Sequence, residues 1–138
     1  MTLYFDASAF TKLFIAEEGT EHADELWALE TSLVSSAITY AETSAAIASA
    51  RRARRLSQGR MREALLRLDE EWRAITLVDV DDPLTRTAGL LAVRHGLRGM
   101  DAIHLASALT FASARPVVVT WDTDLCNAAR SEGLAVSP

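Results

Sequence analysis

Short apolar runs of β-forming residues alternate along this chain with longer stretches whose apolar residues recur at helical spacing, and that alternation leaves few folds open. Thr2–Phe5, Ser32–Ser35, Ile75–Val80, Pro116–Thr120 and Leu134–Val136 read as strands. Between them lie helical stretches. Phe10, Leu13 and Phe14 mark a helix closed by Gly19, and Ala23, Leu26 and Trp27 mark another from Thr20 to Glu30. Ile38, Ala41, Ala45 and Ala48 line one face of a helix that Ser35 or Ser36 can cap. Met61, Leu65, Leu68 and Trp72 form a stripe on a helix capped by Ser57. Asp82–Pro83 opens a helix that stops at Gly96, and Asp101–Ala112 and Asp124–Glu132 follow. Strands alternating with helices imply parallel strands joined by right-handed crossovers. The expected architecture is α/β: one domain over residues 1–138, three layers deep, with a central parallel sheet of about four to five strands flanked by helices.

Length and composition agree. A chain of 138 residues buries roughly two-thirds of its unfolded surface and needs no covalent staple. Its single cysteine, Cys126, excludes an internal disulfide and a cysteine-based zinc site. The opening MTLYFDASAF lacks the basic and apolar regions of a signal peptide, and no apolar run reaches the ~20 residues that span a bilayer. A soluble cytoplasmic protein with no membrane partner is expected. The net charge of −5 argues against a simple electrostatic nucleic-acid binder. The charge is uneven, however. Residues 51–62 hold six arginines and no acid, whereas Asp6 to Glu30 holds seven acids against Lys12.

The placement of acids narrows the function. Asp6 directly follows the first strand and Asp122 directly follows the fourth, and ligands of an open parallel sheet bind at the carboxyl ends of its strands. Glu42 lies about two turns into the helix after the second strand, on an Ala, Ile and Ser background, and Asp101 opens its helix ahead of Ala102–Ile103. Acids in apolar surroundings are costly unless paired or bound to metal. Four carboxylates at one point repel one another unless a cation joins them, and hard oxygen ligands suit Mg²⁺ or Mn²⁺. One or two such ions activate water for phosphodiester hydrolysis. Spacing alone leaves open whether the acids converge or are scattered helix caps.

The segments LYFDASAFTKLF, ITYAETSAA, GMDAIHLASA and VVTWDTDL, in that order, resemble the PIN-domain ribonucleases, and most closely the VapC toxins of bacterial toxin–antitoxin pairs. The resemblance spans nearly the whole chain. It implies that Asp6, Glu42, Asp101 and Asp122 form a site for Mg²⁺ or Mn²⁺ that hydrolyses RNA. It also implies a cognate antitoxin that occupies the site, and a homodimer.

Neighbouring residues are weighed separately. Ser8 can support Asp6 or cap the first helix, and Thr120 has the same two readings. Asp124 is a possible fifth acid, with a helix cap the simpler account. Lys12 can pair with the acidic cluster or a phosphate, with surface placement the favoured reading; His22 and His95 read as surface residues at helix ends, and Cys126 as a small buried side chain. His104 shares a helix with Asp101 but lies among apolar residues, which favours a packed histidine over a catalytic one. Arg51, Arg52, Arg54 and Arg55 are candidates to track RNA phosphates, while Trp27 and Trp72 fall on apolar stripes and read as core. A PIN-like binding module without chemistry is the alternative function. A receiver domain lacks its late lysine here, and a haloacid-dehalogenase-like phosphatase lacks its second aspartate, since Ser8 stands there.

Overall fold

The structure, a computed structural model, describes residues 1–29 and 31–138. Five strands form one all-parallel sheet: β1 (Thr2–Phe5), β2 (Ser32–Ser36), β3 (Thr76–Val78), β4 (Val117–Val119) and β5 (Ala135–Ser137), in the spatial order β3-β2-β1-β4-β5. The chain builds outward from β1 through β2 to β3, then returns to the other side of β1 to add β4 and β5. Its direction of winding therefore reverses between β1 and β4, and the crevice beyond their carboxyl ends is where such sheets bind ligands.

Among the described residues seven α-helices cover the sheet: α1 (Ala7–Thr11), α2 (Thr20–Trp27), α3 (Thr39–Arg52), α4 (Gln58–Trp72), α5 (Asp82–His95), α6 (Gly99–Leu109) and α7 (Thr123–Ser131). Alternation along β1 explains the two cores. Leu3 and Phe5 pack with residues of α1 to α4, including Phe10, Ile47 and Leu68. Tyr4 points the other way and packs with residues of α5 to α7, including Leu91, Leu105 and Leu125. The three-layer architecture expected from the sequence is present. No helix among the described residues is long and apolar enough to cross a membrane.

Local departures have physical causes. The first helix ends at Thr11 rather than Gly19, tightening into i to i−3 bonds from Lys12, Leu13 and Phe14. Leu13 and Ile15 are both buried, which a continuing helix would place on opposite faces. The expected end of α2 at Glu30 lies outside the described residues. On α3 the buried face is Thr39, Thr43, Ile47 and Ala50, while Ala41 and Ala45 are exposed. Neither Ser35 nor Ser36 caps that helix; its N-cap is Ile38, and Ser35 donates to the Phe5 carbonyl (2.7 Å). Ser57 does cap α4 through the Arg60 N–H. The cap of α5 is Asp81, one residue before the expected Asp82. His95 is half-buried against Glu132 (2.6 Å) rather than on the surface, and Cys126 is only partly buried.

The end of α3 gives a stability prediction. Arg54 adopts φ +61°, its N–H bonding Arg51 and the Arg55 N–H bonding Ala50, a Schellman termination that glycine fills without strain. Arg54→Gly should raise stability by about 1 kcal/mol. Equal thermal midpoints for the variant and the parent would show that the left-handed arginine is not strained.

Candidate active site

The site is built from element ends. Asp6 ends β1 and is also the N-cap of α1: its Oδ1 accepts from the Ala9 N–H at 2.9 Å. That double duty places a carboxylate, only 3% exposed, at the carboxyl edge of the central strand. Ser8 Oγ donates to it (2.8 and 3.0 Å) and accepts from the Trp121 N–H (2.9 Å). Thr120 Oγ1 donates to Asp6 Oδ2 (2.6 Å) and accepts from the Asp122 N–H (3.0 Å). Both hydroxyls therefore tie the end of β1 to the end of β4, and the cap of α1 is Asp6 rather than Ser8.

Asp122 opens the helix after β4, its Oδ1 capping α7 through the Leu125 N–H (2.8 Å). Asp124, expected as that cap, is instead exposed in the first turn of α7 and takes no part in the network. Asp101, in the first turn of α6, faces Asp122 across the side chain of Arg98. That guanidinium lies 3.4 Å from Asp101 Oδ2 and 3.7 Å from Asp122 Oδ2. Glu42 lies in the first turn of α3, nearer its start than expected, and its Oε1 is 2.7 Å from His104 Nε2. The other nitrogen of His104, Nδ1, is 2.8 Å from the Tyr4 hydroxyl.

Electrostatics follow the geometry. Burial pushes the Asp6 carboxyl above the usual aspartate range, against the opposing effects of His104 and of its hydrogen bonds from Thr120, Ala9 and Ser8. Burial also raises Asp101, and the neighbouring Asp122 charge raises it further, while Arg98 and His104 oppose.

Lys12 is not a surface residue. It is buried, bonding Glu17 Oε1 (2.9 Å) and the Glu18 carbonyl (2.8 Å), and it lies 4.9 Å from the ring centre of Trp121. Gly19, at φ +88°, approaches the same ring so closely that a Cβ would fall 2.7 Å from it. The loop before α2 is thereby clamped on the residue preceding Asp122. Trp27 and Trp72 pack around Phe10, as core.

Two residues of the network were not expected from the sequence. Arg98 carried a signal in its i, i+3 spacing to Asp101. His104 carried one in its own spacing to Asp101, but the neighbouring Glu42 comes from a different helix 62 residues away. The candidate arginines lie elsewhere. Arg51 lies nine positions after Glu42, about 13 Å along the helix axis, and the basic cluster occupies the far end of α3 and the turn beyond it.

Comparison with known proteins identifies the family. The PIN domain family model covers residues 3–131. The chain belongs to the PIN-domain family. It is 39% identical to Ribonuclease VapC45 of Mycobacterium tuberculosis over 136 residues, covering 99% of this chain and 94% of that protein. Two solved structures share its fold. The crystal structure of FitAcB from Neisseria gonorrhoeae aligns with a TM-score of 0.69 at 21% identity, over 100% of this PIN domain and 97% of that chain. A toxin-antitoxin complex from Klebsiella pneumoniae aligns with a TM-score of 0.62 at 19% identity, over 90% of this chain and 89% of that one.

Among the described residues, no three His, Cys, Asp or Glu side chains are grouped closely enough to hold a metal ion as they stand. The donor chemistry of this PIN domain nevertheless fits Mg²⁺ or Mn²⁺. The donors are carboxylate oxygens, and a cationic guanidinium lies between Asp101 and Asp122, where two acids need a positive charge.

Proposed function

We propose that the chain is the toxin of a toxin–antitoxin pair, an endoribonuclease that hydrolyses RNA phosphodiesters with Mg²⁺ or Mn²⁺ held by Asp6, Glu42, Asp101 and Asp122. The observation that carries this reading is the tie between Asp6 and Asp122 through Thr120, in the crevice where the sheet reverses its winding. The 39% identity to a protein named a VapC ribonuclease supports it. When bound, the metal lowers the pKa of water and neutralises charge developing on the leaving oxygen.

The chain's own residues prepare the site. Ser8, Thr120 and the Ala9 N–H hold the Asp6 carboxylate in one orientation, so little reorganisation remains for the reaction. His104 holds Glu42 from the opposite helical layer. Arg98, with a side chain 82% exposed, stands at the mouth, able to exchange its carboxylate partners for an RNA phosphate. An antitoxin partner is supported by the likeness in fold to a toxin-antitoxin complex. A homodimer acting in the cytoplasm is the assembly and location that go with this reading.

Incubating the purified protein with total bacterial RNA and Mn²⁺, with and without a chelator, tests it. Discrete fragments that vanish with the chelator are expected. One observation favours a second reading, a binding module without chemistry: among the described residues no three acidic, histidine or cysteine side chains are grouped closely enough to hold a metal ion as they stand. RNA bound but uncut at any Mn²⁺ concentration would select that alternative.

The basic cluster at the end of α3 has its own test. Changing Arg51, Arg52, Arg54 and Arg55 together to Ala should weaken RNA binding and flatten its dependence on salt, because each phosphate contact releases counterions. An unchanged slope of log affinity against log salt would return the cluster to plain surface.

A further inference from the structure

The bond between His104 and Glu42 joins two helical layers that otherwise lie on opposite faces of the sheet. Glu42 belongs to α3, packed with the Leu3 and Phe5 side of β1, whereas His104 belongs to α6, packed with the Tyr4 side. His104 is 2% exposed and both ring nitrogens are used, Nδ1 by the Tyr4 hydroxyl (2.8 Å) and Nε2 by Glu42 Oε1 (2.7 Å). A carboxylate only accepts, so Nε2 carries the proton that bonds Glu42. In the neutral ring Nδ1 must then accept, and the Tyr4 hydroxyl donates to it. Tyr4 is itself fully buried in the central strand, edge-on to the imidazole at 6.0 Å between ring centres. Glu42 thus sets the tautomer, and the buried Tyr4 hydroxyl, which can donate or accept, braces the ring from its other side.

We propose that His104 is a positioning residue: braced by the Tyr4 hydroxyl at Nδ1, it holds the Glu42 carboxylate in the orientation needed to bind the divalent ion. The proposal rests on the carboxylate site described above. Outer partners that orient metal ligands change affinity by about tenfold to a hundredfold when removed. His104 touches neither metal nor RNA in this role and acts only through Glu42. Packing alone requires none of this, since an apolar side chain could fill the same space without a bond to Glu42.

Three substitutions separate the two bonds. An asparagine amide ends near the position of Nδ1, so His104→Asn can keep Tyr4 but cannot reach Glu42. A glutamine amide ends near Nε2, so His104→Gln can keep Glu42. Mn²⁺ affinity measured by the paramagnetic resonance of free ion is the readout, with Glu42→Gln as reference and circular dichroism to confirm folding. The expected order has wild type tightest, His104→Gln close behind, and His104→Asn weaker by about tenfold to a hundredfold, like Glu42→Gln. If Glu42→Gln weakens Mn²⁺ and His104→Asn does not, the positioning role is wrong and the site stands. If Glu42→Gln leaves Mn²⁺ binding unchanged, the site assignment fails and takes the positioning role with it. Imidazole nitrogen NMR on the wild-type protein needs no variant. A proton on Nε2 is expected, and a bare Nε2 would overturn the proposal.

Discussion

Asp6→Asn should lower RNA cleavage by about a hundredfold or more, since charge stabilisation at a metal-assisted site is worth several kcal/mol. The same change should leave the fold standing. Asparagine caps a helix as well as aspartate does, so α1 keeps its Ala9 bond, and the Ser8 and Thr120 hydroxyls can rotate to suit an amide. Linkage goes further. Burial holds the Asp6 carboxyl above the usual aspartate range, so the folded metal-free chain binds a proton there more tightly than the unfolded chain does. That group's contribution to stability is greatest below the ordinary aspartate value and falls as pH rises through the raised one. Asparagine carries no such penalty. The variant's thermal midpoint at neutral pH is therefore expected at or above that of the parent, with a weaker dependence on pH. Cleavage at the parental rate in saturating Mn²⁺ would remove Asp6 from the site. A much lower midpoint would show that Asp6 serves the fold instead.

Phe10→Ala should destabilise the chain by about 4 kcal/mol, the usual cost of emptying a buried aromatic site. Phe10 is fully buried, and rings of Phe14, Trp27 and Trp72 lie 5.0 to 5.9 Å from its own centre. These rings join α1, α2 and α4 in a single cluster. Little of it can collapse into the space, because Trp27 is held by Glu71 (3.0 Å) and Trp72 is backed by Tyr40, itself held by Asp69. Chemical denaturation would measure the change, and a loss below about 1 kcal/mol would mean that the cluster repacks. Such a loss would leave Asp6 only four residues from the change, so activity would report whether α1 holds the site independently of its core.

What was legible in the sequence is what local pattern determines. Thr2–Phe5 is a strand with the expected bounds because four buried residues in a row need no partner pattern to be recognised. Asp6 and Asp122 stood out because each follows an apolar run directly, and a parallel sheet brings such ends to one edge. Features that depend on opposing surfaces were not legible. The alanines of α3 carry too little apolar area to mark the core face, and Thr39 and Thr43 face inward instead. Lys12 reads as surface on charge alone, yet Glu17, the Glu18 carbonyl and the Trp121 ring enclose it. His104 looked like packing because its apolar neighbours are adjacent in sequence, while Tyr4 and Glu42 reach it from 100 and 62 residues away.

The most direct test of the site is where Mn²⁺ binds. Crystals of the wild-type protein grown with Mn²⁺ at neutral pH should show an anomalous peak bounded by oxygens of Asp6, Glu42, Asp101 and Asp122, with Arg98 moved off the acidic pair. A peak elsewhere, or none there with Arg98 still between Asp101 and Asp122, would contradict the account.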